Sequence, residues 1–168
     1  CELPEPEPYR RCWTTDEVRS LLLSCEHERG YLAGVPASRW WVMFHRVLWE
    51  TGERTGAMLR LRWEWLYRGG LDVPGEARKG GLKRAFYSLS EPTLIGLDAI
   101  RHPTRDLIFE LGTHRSTFYS RYTRILKRAG LPTDRKCKPQ RMRRTHLTYW
   151  QIGGGDATAR AQHSDRAT

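Results

Sequence analysis

Length, composition and charge exclude several classes of protein. The chain has 168 residues, the size of one ordinary domain, and a domain of that size buries roughly 70% of the surface that its unfolded form exposes. Lys and Arg number 29 against 19 Asp and Glu, for a net charge of +10, while 18 aromatic residues supply core material despite a mean hydropathy of -0.67. These values argue against a disordered chain or a membrane-embedded one, and they favour nucleic acid as the partner.

The first residues predict a linker before the domain, and the cysteines indicate the redox environment. Residues 1–12 alternate Pro with Glu, as in an extended linker, and residues 13–168 are expected to form one domain. The four cysteines form no Cys-x-x-Cys pair, so we expect reduced thiols in an intracellular, cytoplasmic protein. Cys25 and His27 could be two ligands of a metal site, but a core cysteine beside a surface histidine is the interpretation that the spacing favours.

Two helices are predicted in the first third of the chain. One begins at Thr14 or Thr15, where a hydroxyl can cap free amides, and Val18, Leu21 and Cys25 share its apolar face. The second runs from Pro36 to Glu50, with Gly52 just past its end. Its aromatic run at 40–44 predicts a central core helix.

The rest of the sequence, after the second helix, predicts a mainly α-helical domain with a small antiparallel β-sheet. A short helix around Met58 ends near residues 63–65, and glycine-rich turns then enclose two β-favouring runs at 71–73 and 84–89. Further helices are predicted to open after Ser90 and after a cap at Thr113, and two more are predicted over 139–150 and 155–163.

Two arginines in distant helical segments indicate a site for phosphate. Arg54 and Arg143 lie 89 positions apart, and residues 135–144 carry six basic side chains and no acid. Arginine binds phosphate through two parallel hydrogen bonds and stays charged, so a pair can neutralise a phosphodiester during its displacement. Such a site needs no metal or other cofactor, because the guanidiniums supply the charge.

The segments around these arginines resemble two boxes of the tyrosine recombinase (phage integrase) family. Residues 51–63 are similar to the first box, a Thr-Gly-x-Arg turn before a short helix, which places Arg54 on the first catalytic arginine. Residues 140–145 are similar to the second box, His-x-Leu-Arg-His-Thr. Arg143 then falls on the second catalytic arginine and Gln140 on the histidine before it.

Two more segments follow the same family order. Residues 78–89 look like the family's lysine-bearing hairpin, which implies Lys79 as the catalytic lysine, with Lys83 as the alternative. Residues 162–165 resemble the Gly-His-Ser turn, which places His163 on the family's His/Trp position. The resemblance also implies DNA contacts from basic side chains beside these positions, namely Lys83, Arg84, Arg141 and Arg144.

The sequence departs from the family pattern at three points. Ala57 stands where the family has an acid that braces the first arginine, so such a brace is missing or comes from elsewhere. Gln140 can exchange hydrogen bonds with a phosphate but cannot carry charge. The family's nucleophilic tyrosine follows the His/Trp position, and the sequence ends five residues after His163. We therefore expect the nucleophile beyond residue 168.

The resemblance implies a bacterial or phage DNA strand-exchange enzyme. A tyrosine would attack the scissile phosphate and form a 3′-phosphotyrosyl intermediate, with double-stranded DNA as substrate and a tetramer of the full protein as the working assembly. A second hypothesis is a non-catalytic DNA-binding module, a decayed integrase, which Ala57 and Gln140 both favour. The tyrosines at 119, 122 and 149 lie at helical spacing among apolar residues and are interpreted as packing aromatics, as is His146.

Overall fold

A computed structural model describes residues 12–78, 83–134 and 138–156. It confirms the predicted class, because helices dominate and the strands are short and antiparallel. The helices are α1 (Thr15–Glu26), α2 (Ala37–Thr51), α3 (Thr55–Met58), α4 (Glu91–Asp98), α5 (Arg115–Arg128) and α6 (Gln140–Ile152). The strands are β1 (Tyr31–Leu32), β2 (Val35–Pro36), β3 (Leu66–Tyr67), β4 (Gly70–Val73) and β5 (Ala85–Ser88).

The ends of α1 and α2 follow from their capping residues. Thr14 accepts a hydrogen bond from the Glu17 backbone amide, and the Glu17 carboxylate accepts one from the Thr14 amide in return, at 3.2 and 2.7 Å. Helix α2 starts after Pro36 and ends at Gly52, whose φ of 64° is left-handed. Both ends lie where the sequence predicted them.

Helix α2 forms the centre of the hydrophobic core. Trp40 stacks on Phe44 with ring centroids 5.1 Å apart, and Trp41 stacks on Phe118 of α5 at 4.9 Å. Phe109 meets both Trp40 and Phe44 edge to face. These aromatic side chains are fully or almost fully buried, so the packing of other elements is organised around α2.

The three-stranded sheet has the order β3-β4-β5, with antiparallel neighbours throughout. Leu71 pairs with Leu66 on one side and with Tyr87 on the other. The sheet thus confirms the two predicted β-favouring runs, and with β3 it is three-stranded. A second hairpin, β1 with β2, was not predicted from the sequence, since two-residue strands carry no periodicity to detect.

Two local predictions were wrong in detail. The N-cap of α5 is His114, not Thr113, because the His114 ring accepts the Ser116 amide at 3.3 Å. The short helix around Met58 is only one turn long, and a separate 3-10 turn covers Trp63–Trp65. The prediction that α4 opens after Ser90 is confirmed, although the Ser90 side chain makes no capping hydrogen bond.

A carboxylate from α2 accepts the hydrogen bonds of polar groups at the start of α4. Glu50 accepts hydrogen bonds from the Ser90 amide at 2.9 Å, the Ser90 hydroxyl at 2.7 Å and the Thr93 hydroxyl at 2.6 Å. A carboxylate at a helix N-terminus also opposes the positive end of the helix dipole. Helix α4 is therefore fixed to the C-terminal part of α2.

Parts of the predicted organisation fall outside the described residues. These are the linker up to residue 11 and the predicted helix from 157 onward, while residues 155 and 156 are not helical. In the described ranges, no helix combines the length and apolar character needed to cross a membrane.

Burial makes one core histidine sensitive to pH. His45 of α2 is fully buried, its ring stacks with Trp41 and Tyr122, and its Nδ1 donates to the Trp41 carbonyl at 2.8 Å. Burial lowers the pKa of His45 to about 4, because a charged imidazolium loses its hydration there, and the hydrogen bond to Trp41 only partly opposes this.

We predict that His45 makes the fold less stable in mild acid. The unfolded histidine binds a proton near pH 6.5 but the folded one only near pH 4, so its contribution is complete above pH 6.5 and is lost as pH falls toward 4. The loss should reach about 3 kcal/mol in the free energy of unfolding. Urea titrations from pH 7 to pH 4.5 measure it, and His45→Phe should flatten the curve. Parallel curves for both proteins would contradict the prediction.

Candidate active site

The C-terminal end of α2 is joined to α6 by two side chains. Arg143 Nη1 donates to the Gly52 carbonyl, and His146 Nδ1 donates to the Trp49 carbonyl. The last carbonyls of a helix lack partners within it, and they carry the negative end of its dipole. Donors on α6 therefore complete α2, and the buried, hydrogen-bonded state of His146 matches its interpretation as a core histidine.

Arg54 lies beside this junction at the start of α3. It is the N-cap residue, with extended backbone angles, and its carbonyl accepts the Ala57 and Met58 amides at 2.8 and 2.9 Å. Thr55 then contacts the first residue of α6, because its hydroxyl donates to Gln140 Oε1 at 3.4 Å. The two segments that resemble separate recombinase boxes are therefore in direct contact. Arg54, Gln140 and Arg143 are called the arginine site below.

The two arginines of this site meet at one junction, since Arg143 donates to the carbonyl of Gly52, two residues before Arg54. Arg143 is buried, with a relative solvent exposure of 5%, whereas Arg54 is half-buried. Burial lowers the pKa of Arg143; the Glu53 carboxylate acts in the opposite direction, and the positive charge of Arg54 lowers the pKa further. An anion would stabilise a site in which a second positive charge disfavours the charged form of Arg143.

A buried carboxylate beneath the site was missed by the sequence analysis as a functional residue. Glu53 Oε1 lies 2.6 Å from Arg78 Nε and accepts the Tyr87 hydroxyl at 2.6 Å, and its Oε2 accepts the Arg54 amide at 3.2 Å. Glu53, Arg78 and Tyr87 are all buried. The available signal was the position of Glu53 directly before Arg54 and of Arg78 directly before Lys79.

The other predicted site residues fall into two groups. Lys79 and His163 lie outside the described residues, so their roles stay predictions. Lys83 and Arg144 are exposed to solvent, as expected of side chains that contact DNA. Their DNA contacts likewise stay predictions.

Two basic side chains predicted to bind DNA have partners within the chain. Arg141 lies half-buried over the Trp13 ring, with Cζ 4.0 Å from the ring centroid, a cation-π contact between α6 and the start of α1. Arg84 is exposed, and both ends of its guanidinium donate to the Asp72 carboxylate of the neighbouring strand. Arg141 thus has a packing role, and Arg84 a partner that partly neutralises it.

Known proteins match this chain in structure but not in sequence. No protein-family model matches the sequence, and no curated protein does. The crystal structure of XerA recombinase matches with a TM-score of 0.67 at 18% identity, over 92% of this chain and 55% of that one. The lambda integrase catalytic core matches with a TM-score of 0.67 at 16% identity, over 91% of this chain and 95% of that one. The chain has the fold of a tyrosine recombinase catalytic domain.

A DNA complex is among the matching tyrosine recombinase structures. XerH site-specific recombinase bound to difH substrate, in a pre-cleavage complex, matches with a TM-score of 0.69 at 19% identity, over 92% of this chain and 47% of that one. The chain thus spans about half the length of the XerA and XerH chains. At these identities the likeness concerns the tyrosine recombinase fold.

We predict that the junction between α2 and α6 depends on Gly52. A Cβ on Gly52 would lie 2.3 Å from His146 Cδ2, and its φ of +64° is strained for any side chain. Gly34 is the matched control, since its φ is +79° and a Cβ there would meet nothing within 4 Å. Gly34→Ala should cost about 1 kcal/mol in unfolding free energy and Gly52→Ala about 2 kcal/mol more. Equal losses in denaturant titrations would show that His146 moves aside freely.

Proposed function

We propose that the chain is the catalytic domain of a site-specific DNA recombinase that cleaves and rejoins strands through a 3′-phosphotyrosyl intermediate. One observation carries the proposal: the segments of Arg54 and Arg143, 89 positions apart, are in direct contact, because Arg143 donates to the Gly52 carbonyl and Thr55 donates to Gln140 at 3.4 Å. In this arrangement the positive charge of Arg54 lowers the pKa of Arg143, and a phosphodiester placed between the two guanidiniums would relieve that repulsion. The fold shared with XerA, XerH and lambda integrase supports the same conclusion.

The proposed chemistry is an in-line displacement at phosphorus. A tyrosine beyond residue 168 attacks as its phenolate, the bond from phosphorus to the 5′-oxygen breaks, and the 3′ end stays attached to the protein. Arg54 and Arg143 neutralise the non-bridging oxygens as charge builds on them. Lys79 donates a proton to the departing 5′-oxygen, and His163 hydrogen-bonds the phosphate or the nucleophile. Rejoining is the reverse reaction with a new 5′-hydroxyl.

Gln140 has a defined position in this scheme. Its Oε1 accepts the Thr55 hydroxyl, so its amide Nε2 is the group that can donate to a phosphoryl oxygen. An amide cannot carry the charge or the proton that a histidine could. We therefore assign Gln140 to phosphate positioning and leave proton transfer to the other groups.

DNA is the proposed partner, with basic side chains around the arginine site binding phosphates on either side. Lys83 and Arg144 are exposed for this role, and Arg84 is exposed although it is paired. Lambda integrase has been solved as a tetramer bound to a Holliday junction, and its chain matches this one with a TM-score of 0.62. We propose the same assembly for the full protein here.

We predict that Arg143 controls chemistry and that its neighbour Arg144 contributes to DNA binding. The protein encoded by the full open reading frame that contains this chain is incubated with duplex DNA carrying a nicked suicide site. Such a substrate traps the covalent adduct. Arg143→Ala should lower the cleavage rate constant by at least about 10²-fold, as expected when a preorganised donor to a developing oxyanion is lost. Arg144→Ala, on the exposed face of the same helix, should leave the rate constant at saturating DNA unchanged.

The same assay separates the enzyme from the decayed module. A wild-type protein that binds its duplex but forms no adduct would overturn the proposed activity and leave DNA binding alone. Circular dichroism of Arg143→Ala checks that the fold is intact, since the side chain is buried. Arg143→Lys keeps the charge but loses two-point phosphate contact, so it should also be slow.

We predict that duplex binding by residues 1–168 is steeply salt-dependent and independent of sequence. The logarithm of affinity should fall by about 0.9 per phosphate contact for each unit in the logarithm of salt concentration. Arg144→Ala should reduce that slope by about 1. Arg19→Ala is the control, since Arg19 is exposed on α1 and paired with Asp16 at 3.2 Å. Fluorescence anisotropy from 50 to 300 mM salt measures the slopes, and a flat wild-type plot would contradict the proposed DNA contacts.

A further inference from the structure

Glu53 is a carboxylate buried at the meeting point of three parts of the site. Its side chain is 3% exposed and that of Arg78 only 1%, with 2.6 Å between Oε1 and Arg78 Nε. Its other oxygen accepts the backbone amide of Arg54 at 3.2 Å. A buried charge persists in a protein only when it is paired and hydrogen-bonded, and Glu53 has both kinds of partner.

The negative charge of Glu53 favours the charged forms of two buried arginines. Arg78 contacts it directly, and Arg143 lies close enough for the carboxylate to favour its charged form. The two arginines and Arg54 come from three different segments, so one carboxylate offsets part of the repulsion among them. Without Glu53, the two buried guanidiniums would face each other and Arg54 without this negative charge.

The Glu53 partners also hold Arg78 and Lys83, called the stem of the hairpin below, which lie on either side of 79–82 in the chain. Tyr87 of β5 donates its hydroxyl hydrogen to Glu53 and accepts from Arg78 Nη2 at 3.2 Å. Arg78 Nη1 donates to the Lys83 carbonyl at 2.8 Å. The residues on both sides of 79–82 are therefore fixed to the carboxylate that also fixes the start of α3.

We propose that Glu53 is the positioning residue of the arginine site, the anchor that fixes Arg54, Arg143 and the stem of the hairpin relative to one another. This inference rests on the proposed function, because the groups positioned are those assigned to phosphate and leaving group. It adds a residue that acts through its partners and does not touch the DNA.

The first test compares two changes at the same carboxylate oxygen. Glu53→Gln keeps the shape and removes the charge, whereas Tyr87→Phe keeps the charge and removes the two hydrogen bonds of the Tyr87 hydroxyl, one to Glu53 and one from Arg78. In the suicide-substrate assay, Glu53→Gln should lower the cleavage rate constant about 10²-fold, because small displacements of catalytic groups are that costly. Its duplex affinity should stay within about threefold of wild type, and Tyr87→Phe should lose less than about tenfold in rate. A folded Glu53→Gln protein that cleaves at the wild-type rate would overturn the inference.

A double variant distinguishes positioning from neutralisation of Arg78. Changing Glu53 to Gln and Arg78 to Met together removes both charges of the buried pair, which proteins often tolerate better than the loss of one. This protein should fold even where Glu53→Gln alone does not, and it should remain slow. Recovery of the wild-type rate would mean that Glu53 only balances Arg78, and the inference would fall.

A spectroscopic measurement tests the inference without any DNA chemistry. In the wild-type chain, the Nε–H signals of Arg78 and Arg143 should be resolved and slow to exchange with water, and Arg78→Lys and Arg143→Lys identify them. Tyr87→Phe should leave both signals in place, and Glu53→Gln should shift or broaden both. An Arg143 signal unaffected by Glu53→Gln would overturn the positioning role. If the signals respond as expected but the wild-type protein forms no adduct, the proposed recombinase activity fails and the Glu53 anchor stands.

Discussion

The hydrogen bond from Arg143 to the Gly52 carbonyl is the contact on which the arrangement of the site depends. It joins the C-terminal end of the core helix α2 to a helix that begins 88 residues later in the chain, at Gln140. The left-handed turn at Gly52 directs the chain onward to Glu53 and Arg54, and the freed carbonyls of α2 receive donors from α6. The same hydrogen bond thus satisfies a free carbonyl at the end of α2 and positions a candidate catalytic arginine.

Burial of Arg143 carries a cost, and its surroundings show how the chain offsets it. A guanidinium removed from water loses hydration, which is why its pKa falls. The backbone carbonyl of Gly52 satisfies one donor, and Glu53 supplies opposite charge without removing the positive excess that phosphate binding requires. The family's acid is absent at Ala57, and on our proposal a carboxylate four residues earlier performs the bracing.

Local features of the sequence predicted local features of the fold. Thr14, Pro36 and Gly52 marked helix ends because capping is a property of a few consecutive residues, and the apolar spacing of α2 predicted its central position. Partners distant in sequence escaped prediction. Glu50 at the start of α4, Trp13 beneath Arg141 and the pairing of Glu53 with Arg78 and Tyr87 all depend on tertiary packing, which no single segment encodes. For the same reason the motifs predicted Arg54, Gln140 and Arg143 as site residues, while the carboxylate of Glu53 was not predicted.

The long separation of these contacts has a consequence for synthesis on the ribosome. The amide of Trp13 donates to the hydroxyl of Thr145, 132 residues later in the chain. The Gly52 carbonyl at the end of α2 accepts from Arg143, 91 residues later. Helices α1, α2 and α4 leave the ribosome well before α6, since chains emerge N-terminus first, and they can begin to pack earlier. The contacts of Gly52 and Thr55 with α6 can form only after α6 has left the exit tunnel. A nascent chain therefore begins to build its core before Arg54, Gln140 and Arg143 can be brought together.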